Sequence, residues 1–347
     1  MADTSTQSIA VLGAGVVGLS TAVNIQSLYP RATVTIIADK FNTETTSDGA
    51  AGLFRPTLTK TAGDEYMIRK WSEDSFRWFN SIWLIDEAPR AGIHRIGGYV
   101  FSQTPCDKQV PLHCYNKRPL TREELEVLPG NPRYGYFTDS LMIECRRYLP
   151  WLMEKFNKNG GKTRVEKIES LSQIAGQYDV YVNCLGLSSR EVFKDKEMYA
   201  VRGHLIRVHA PWVKNTYLYL ADSDTYIYPG QDNVVLGGTR QKGEETFDYK
   251  KEYFDDVFTR CCKILPGLKH APVITKWVGL RPHRTSVRME TEVIEVDNHA
   301  LWVVHNTGHG GDGVALSWGS AVEAARLVDQ ILHKKSLASS PKTLSKL

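Results

Sequence analysis

The 347-residue sequence lacks any apolar stretch close to the roughly 18 residues that a membrane-spanning helix requires. Its six cysteines show no CxxC spacing and lie mostly in apolar contexts, unlike a disulfide framework or a zinc site. The first eight residues, MADTSTQS, are polar, so the sequence predicts no signal peptide. These features predict an intracellular protein with reduced thiols, no metal site and no membrane segment.

The sequence also lacks a strong excess of charge of either sign. Its 43 Lys and Arg residues against 39 Asp and Glu residues leave a net charge of +4, spread along the chain. This is too weak to indicate nucleic-acid binding. Hydrophobic residues make up 42% of the chain and charged residues 24%, as in ordinary globular proteins, and the length allows two domains or one large one.

The last three residues of the sequence resemble a targeting signal. Ser345, Lys346 and Leu347 form the SKL sequence that the peroxisomal import receptor binds. The preceding residues, SLASSPKT, are small and polar, which would leave the tripeptide accessible. We therefore expect this receptor as a partner and the peroxisomal matrix as the location.

A glycine-rich turn lies between two predicted strands near the N-terminus. The apolar segment 9–12 is followed by GxGxxG, by a helix with an apolar face that stops at Pro30, and by a β-branched strand at 34–37. This order of strand, turn, helix and strand predicts a dinucleotide-binding unit. The pattern does not distinguish NAD from FAD.

Individual residues of this unit suit a dinucleotide. Gly13 permits the tight turn, Gly15 lets the backbone approach a pyrophosphate, and Gly18 allows close packing of helix against strand. The helix N-terminus offers unpaired N–H groups to phosphate. Asp39, 21 residues after Gly18, can accept hydrogen bonds from ribose hydroxyls.

Three later segments extend the predicted nucleotide site. Residues 43–56 are rich in hydroxyl groups and small side chains, which suit close approach to a flat ring. Residues 179–190 predict another buried parallel strand that ends in a glycine turn. A strand at 301–304 leads into a second glycine-rich loop at 308–313, followed by a helix. The nucleotide-binding region is therefore predicted to be assembled from separate parts of the chain.

Together these segments resemble the D-amino-acid oxidase family of FAD enzymes. The matching stretches cover nearly the whole chain in family order: GAGVVGLSTA, ADKF, TTSDGAAGL, RYLPWL, VNCLGL, RGH, YIYPG, LGGTRQKG, VGLRP and VVHNTGHGGDG. The sequence departs from the family at Thr307, where an aromatic residue is usual.

The resemblance implies an α/β fold with two domains and FAD as cofactor. A discontinuous, Rossmann-like FAD-binding domain would comprise 1–60, 141–205 and 299–338. An α+β substrate domain with a mixed or antiparallel sheet would comprise 61–140 and 206–298, and 339–347 would form a flexible tail. Beyond the glycines and Asp39, the implied FAD contacts are Lys40, Thr46, Ser47, Leu53, Gly310, Val314 and Ala315.

The resemblance also implies the chemistry. The α-hydrogen of a D-amino acid would leave as hydride toward flavin N5, so a clamp for the α-carboxylate matters more than a side-chain base. Arg281 is the candidate clamp, because a guanidinium binds a carboxylate through two parallel hydrogen bonds. Tyr226 matches the family's substrate-contacting tyrosine and can donate to the same carboxylate. Tyr228 shares its face of the strand and ranks second.

Arg240 follows a short apolar strand and two glycines. The family branch that oxidises D-aspartate resembles this GGTRQKG stretch, whereas the neutral-substrate branch lacks the arginine. With Arg281 on the α-carboxylate, Arg240 would bind a second carboxylate on the substrate side chain. An uncharged substrate would leave a buried cation unpaired, at a cost of about several kcal/mol. We therefore expect oxidation of D-aspartate, with D-glutamate and N-methyl-D-aspartate as further candidates, to a 2-oxo acid, ammonia and hydrogen peroxide.

Several alternatives stay open on the sequence. Arg55 either contacts an anion in the site or points to solvent. His309 is either a catalytic base or a structural hydrogen-bonding group, and the second role is favoured because the chemistry requires no base. The same two alternatives apply to His204. The rival functions are a neutral D-amino-acid oxidase with Arg240 turned to solvent, a glycine or sarcosine oxidase, and a nucleotide-binding protein without catalysis.

Overall fold

The computed structural model of the protein describes residues 7–59, 61, 63–221 and 224–339. The N-terminal unit contains strand β1 (Ser8–Leu12), helix α1 (Val16–Leu28) and strand β2 (Thr33–Ala38), as predicted. The SKL tripeptide lies outside the described residues. Within them, no helix combines the length and the apolar character needed to cross a membrane.

The remaining elements follow in chain order. The helices are α2 (Glu65–Trp83), α3 (Ala88–Ala91), α4 (Arg122–Val127), α5 (Cys145–Lys158), α6 (Ser189–Val192), α7 (Lys251–Ile264) and α8 (Gly313–Ser339). The strands are β3 (Ile93–Ser102), β4 (Asn116–Pro119), β5 (Tyr134–Ile143), β6 (Lys162–Val165), β7 (Val180–Asn183), β8 (Tyr199–Val208), β9 (Thr216–Leu220), β10 (Thr225–Pro229), β11 (Val234–Gly237), β12 (Gln241–Lys242), β13 (Val273–Val296) and β14 (His299–His309).

The described strands form one continuous sheet in the order β4-β5-β3-β9-β10-β11-β8-β13-β14-β7-β1-β2-β6, with β12 paired beside β8. From β14 to β6 every pair is parallel. In the other part all pairs are antiparallel except β3 with β9. The fold class is confirmed as mixed α/β. The boundaries given for two domains stay a prediction, since the sheet runs through both.

Strands β1, β2 and β7 are buried on both faces, which explains their largely apolar sequences, whereas the edge strand β6 is mostly exposed. In β1, Ile9 and Val11 pack into a core that includes residues of α1, α5 and α8, whereas Ala10 and Leu12 pack on the opposite face. A separate core lies under α7 in the antiparallel part of the sheet. Strands β1 and β2 of the nucleotide-binding unit are therefore covered on both faces.

Strand β14 is longer than predicted. The sequence predicts a strand at 301–304 and a loop beyond it, but β14 runs from His299 to His309 and pairs with β13 as far as the His283–His309 register. Gly308 adopts a φ of 92° within this strand. Pairing with a long partner strand extends β14 through glycine-containing sequence that local pattern assigns to a loop.

Gly18 provides a test of the packing of α1 against the turn after β1. A Cβ atom at Gly18 would lie 2.0 Å from the backbone oxygen of Gly13, so an alanine there must displace backbone. We expect Gly18→Ala to lower the free energy of unfolding by about 1–3 kcal/mol, measured as a lower Tm. Gly267→Ala is the control, because its Cβ would have its nearest neighbour 3.7 Å away. Equal Tm values for the two variants would contradict this packing.

Candidate active site

A cavity of about 650 Å³ opens at the carboxyl ends of the parallel strands and extends under the antiparallel part of the sheet. Residues that follow β1, β2, β7 and β14 line it. In open α/β sheets, ligands bind at this edge, and the volume is typical of sites for cofactors and small molecules. Among the described residues, no group of three or more His, Cys, Asp or Glu side chains could hold a metal ion.

The turn after β1 forms one wall of the cavity. Gly13 has a φ of 106°, which glycine adopts without strain, and a Cβ there would lie 2.5 Å from the Cys184 backbone oxygen. Gly15 precedes α1, and the amide of Val16 donates to Ser47 Oγ at 3.0 Å. The start of the helix therefore faces the cavity beside a hydroxyl-bearing segment, an arrangement suited to an anionic group.

Most residues predicted to contact the cofactor line this cavity. They are Gly13, Gly15, Asp39, Lys40, Thr46, Ser47, Leu53, Gly310, Val314 and Ala315. Gly18 does not line it, and its close contact with the Gly13 backbone gives it a packing role. The cavity wall thus joins segments more than 250 residues apart in sequence.

Three buried polar side chains from β14 line the cavity with unsatisfied atoms. Asn306 Oδ1, Thr307 Oγ1 and His309 Nε2 have no hydrogen-bond partner within the described part of the chain. Buried polar groups are ordinarily paired, so these atoms are expected to bond a ligand. Together with the glycine turn, this polar wall fits FAD. Thr307, the departure from the family pattern, therefore brings a hydroxyl group to this wall.

Sequence reasoning missed Trp277 as a cavity residue. Its indole lines the cavity, and Cβ atoms at Gly49 and Gly279 would lie 1.9 and 1.7 Å from the ring. Glycine at both positions leaves room for the indole. No local signal reveals this, because Gly49 and the tryptophan are distant in sequence.

Arg281 and Tyr226 lie together at the end of the cavity that the antiparallel strands line. Arg281 Nη1 donates to the Thr239 carbonyl oxygen at 3.2 Å, and the guanidinium is hydrogen-bonded to the Tyr226 hydroxyl. Burial lowers the pKa of Arg281, and the nearby Arg240 lowers it further. Burial raises the pKa of Tyr226, so its hydroxyl stays protonated and able to donate. Tyr228 stacks on Tyr226 with ring centroids 4.7 Å apart and also lines the cavity.

Arg240 faces the same part of the cavity but is exposed, not buried as the sequence argument assumed. A Cβ at Gly311 would lie 3.5 Å from Arg240 Nη2 and 3.9 Å from Arg281 Cδ, so both arginines border one small space. Within the described ranges neither arginine forms an ion pair with a carboxylate. Arg240 lies between β11 and β12, outside both strands.

The structure also places the residues whose roles were open. Arg55 is buried and lines the cavity, so the alternative of an arginine pointing to solvent is wrong. His309 lines the cavity, and burial lowers its pKa to about 4, which leaves it neutral at neutral pH. His204 is not among the cavity residues, and its Nδ1 is 2.7 Å from Thr239 Oγ1.

Comparison with known proteins identifies the family. Residues 8–327 match the model of the DAO family, described as FAD dependent oxidoreductase. The chain is 42% identical to the D-aspartate oxidase of Homo sapiens, over 94% of this chain and 96% of that protein. It is 35% identical to a D-amino acid oxidase of Dugesia ryukyuensis, over 95% and 99% of the two chains. The chain belongs to the D-amino-acid oxidase family of FAD enzymes.

Membership in this family confirms the resemblance inferred from the sequence. The chain is an FAD-dependent oxidoreductase that acts on D-amino acids with oxygen. This excludes the alternative of a nucleotide-binding protein without catalysis. The fold is similar to that of glycine oxidase from Geobacillus kaustophilus, with a TM-score of 0.75, 16% identity and coverage of 94% and 95% of the two chains.

The buried histidines make the stability of the fold depend on pH. Burial, with nearby arginines in two of the three cases, lowers the pKa of His204, His283 and His309 to about 4, whereas an unfolded histidine titrates near 6.5. Between these values the unfolded chain binds more protons, so stability falls as pH falls, by about 1.4 kcal/mol per pH unit for each extra proton. We expect the Tm to decrease from pH 7.5 to pH 5.

The control for this dependence is His204→Gln, which removes one such group outside the cavity. Its Tm should change less steeply with pH than that of the unmodified chain, because one fewer proton is taken up on unfolding. A Tm that rises on acidification over this range would contradict the neutral state of these histidines.

Proposed function

We propose that the chain oxidises acidic D-amino acids, with D-aspartate as its principal substrate. The imino acid formed would hydrolyse to oxaloacetate and ammonia, and oxygen would be reduced to hydrogen peroxide. The observation that carries this proposal is the pair Arg240 and Arg281, which border one small space without carboxylate partners among the described residues. The 42% identity to a D-aspartate oxidase supports it.

Arg281 and Tyr226 would hold the α-carboxylate. Arg281 offers a planar fork of N–H donors that matches a carboxylate in both position and plane. Its hydrogen bonds to Thr239 and Tyr226 restrict its rotation, so part of the ordering cost is met before substrate binds. The protonated Tyr226 hydroxyl would donate a further bond to the same carboxylate.

Arg240 would bind the side-chain carboxylate. Arg240 is exposed, so its charge needs no partner before a substrate binds. A neutral substrate is disfavoured only when it covers the guanidinium and removes water from it, because it offers no partner for the charge. An acidic substrate instead gains a charge-assisted hydrogen bond at this position. Selectivity therefore depends on whether the bound substrate pairs with the charge of Arg240 or leaves it unpaired. Before a substrate binds, Arg240 is not a buried unpaired charge.

The cofactor would lie along the cavity from the β1 turn to β14. Gly13, Gly15 and Ser47 would approach its phosphates, Asp39 its ribose, and the polar atoms of β14 its ring system. FAD, when bound, accepts the hydride from the substrate α-carbon and passes the electrons to oxygen. The protein contributes orientation, and the neutral His309 is proposed as a hydrogen-bonding group, since the reaction requires no side-chain base once the substrate amine is neutral.

The exposure of Arg240 favours one alternative, a neutral D-amino-acid oxidase. In that case Arg240 would be a solvated charge at the cavity mouth and the substrate would occupy only the Arg281 end. The ratio of kcat/KM for D-aspartate to that for D-alanine separates the two proposals. Only an enzyme specialised for acidic substrates should give a ratio far above one.

Substitution of Arg240 tests the second carboxylate contact. We expect Arg240→Ala to lower kcat/KM for D-aspartate about ten- to hundredfold, the worth of one hydrogen bond between charged groups. Activity on D-alanine should fall far less. Arg281→Ala should lower kcat/KM for both substrates, because both carry the α-carboxylate. The measurement is peroxide release from the purified holoenzyme.

Lys242→Ala is the matched control for Arg240→Ala. It removes the same charge two residues further along the chain, but Lys242 is exposed and does not line the cavity. Its D-aspartate kinetics should match those of the unmodified enzyme. If Arg240→Ala behaved like this control, the proposed role of Arg240 would be wrong.

We further propose delivery to the peroxisomal matrix through Ser345, Lys346 and Leu347. This location suits an enzyme that releases hydrogen peroxide. A fluorescent protein fused to the N-terminus should give punctate signal that coincides with a peroxisomal marker. Deletion of the three residues should disperse that signal through the cytosol, and punctate signal after deletion would contradict the proposal.

A further inference from the structure

Arg55 is a buried cation in the cavity wall, and within the described ranges it forms no ion pair with a carboxylate. Its residue surface is 7% exposed, and it lines the cavity together with Arg240 and Arg281. Nη2 donates to the Gln109 carbonyl oxygen at 3.0 Å and lies 3.5 Å from the Tyr136 hydroxyl. Nε has no hydrogen-bond partner in the part of the chain that the structure describes. Buried guanidinium groups are ordinarily paired, so this one points to an anionic ligand.

The neighbours of Arg55 do not neutralise its charge. Burial raises the pKa of both Tyr136 and Tyr228, so these side chains are neutral phenols at neutral pH. Asp224 also lines the cavity and its charge raises the pKa of Arg55, but this effect is smaller than that of the tyrosines. The positive charge therefore remains available to a bound anion.

Arg55 and the other two arginines lie against strands on opposite sides of β10 in the sheet. Its partner Tyr136 lies on β5, which is separated from β10 by β3 and β9. Arg240 follows β11 and Arg281 lies on β13, both on the opposite side of β10. The stacked tyrosine pair of β10 lies between these groups. An anion at Arg55 would therefore lie beyond the space that Arg240 and Arg281 share.

We propose that Arg55 forms a distal carboxylate subsite for acidic D-amino acids with side chains longer than that of aspartate. With the α-carboxylate at Arg281, a longer side chain could pass the stacked tyrosines and bring its terminal carboxylate to the free donors of Arg55. D-aspartate, one methylene shorter than D-glutamate, would end at Arg240. This inference rests on the proposed preference for acidic substrates.

The test compares ligands that differ only in length. Succinate, glutarate and adipate are titrated into the holoenzyme, and their Kd values are read from the change in flavin absorbance. Arg55→Gln should raise the Kd of glutarate and adipate about tenfold or more and that of succinate by a smaller factor. The kcat/KM values for D-glutamate and D-2-aminoadipate should likewise fall more than that for D-aspartate.

Two further variants keep the result interpretable. Arg118→Gln removes an exposed arginine outside the cavity and should change no Kd. Arg55→Lys keeps the charge but loses the planar fork, so it should raise the Kd of the longer acids in the same order but by smaller factors. If the Arg55→Gln protein does not retain FAD, Arg55→Lys takes its place in the test. Equal factors for all three acids, or no change, would overturn the subsite and indicate a structural role for Arg55.

Failure of the proposed function gives a different result. In that case the unmodified enzyme would favour D-alanine over D-aspartate, and Arg240→Ala would leave the D-aspartate kinetics unchanged. Failure of the subsite alone would leave the acidic preference and the effect of Arg240→Ala in place, with ligand length making no difference in the Arg55 variants.

Discussion

The antiparallel pairing of β13 with β8 on one side and β14 on the other is the constraint on which the site depends. It joins the parallel, nucleotide-binding strands to the antiparallel strands in a single sheet. Through it Arg281 pairs opposite Val201, and His283 pairs opposite His309 at the glycine-rich end of β14. Arg281 and the polar residues at the end of β14 are thereby held at fixed separation by backbone hydrogen bonds. A loop could not supply that rigidity.

The electrostatics of the cavity follow from this arrangement. Three arginines line one cavity, and the buried tyrosines beside them stay neutral because burial opposes their ionisation. The free protein tolerates this concentration of like charge in two ways. Arg240 is exposed, whereas Arg281 and Arg55 donate to backbone carbonyl oxygens. These carbonyl contacts orient the guanidinium groups without cancelling their charge.

Local pattern predicted much of the fold. The strand, glycine turn, helix and strand of residues 9–39 lie where the sequence placed them, because each depends on apolar periodicity and on the backbone freedom of glycine. The predicted end of β14 was wrong, because pairing with β13 extends this strand through Gly308. Trp277 was missed, and its position depends on the absence of a Cβ at two glycines, one of them distant in sequence. Gly18 packs closely against Gly13, in agreement with its predicted packing role, but it does not line the cavity as the other glycines counted with the cofactor contacts do.

The sequence by itself determined the family, the FAD cofactor and the residue types able to bind two carboxylates, because these are carried by short motifs in a fixed order. Only the tertiary structure decided which charges meet and how much water reaches them. It brought Arg55 into the cavity wall and left Arg240 exposed at its mouth, contrary to the expectation of a buried cation. Burial and charge neighbourhood depend on strands paired across long sequence separations, and the periodicity of a single segment carries no information about them.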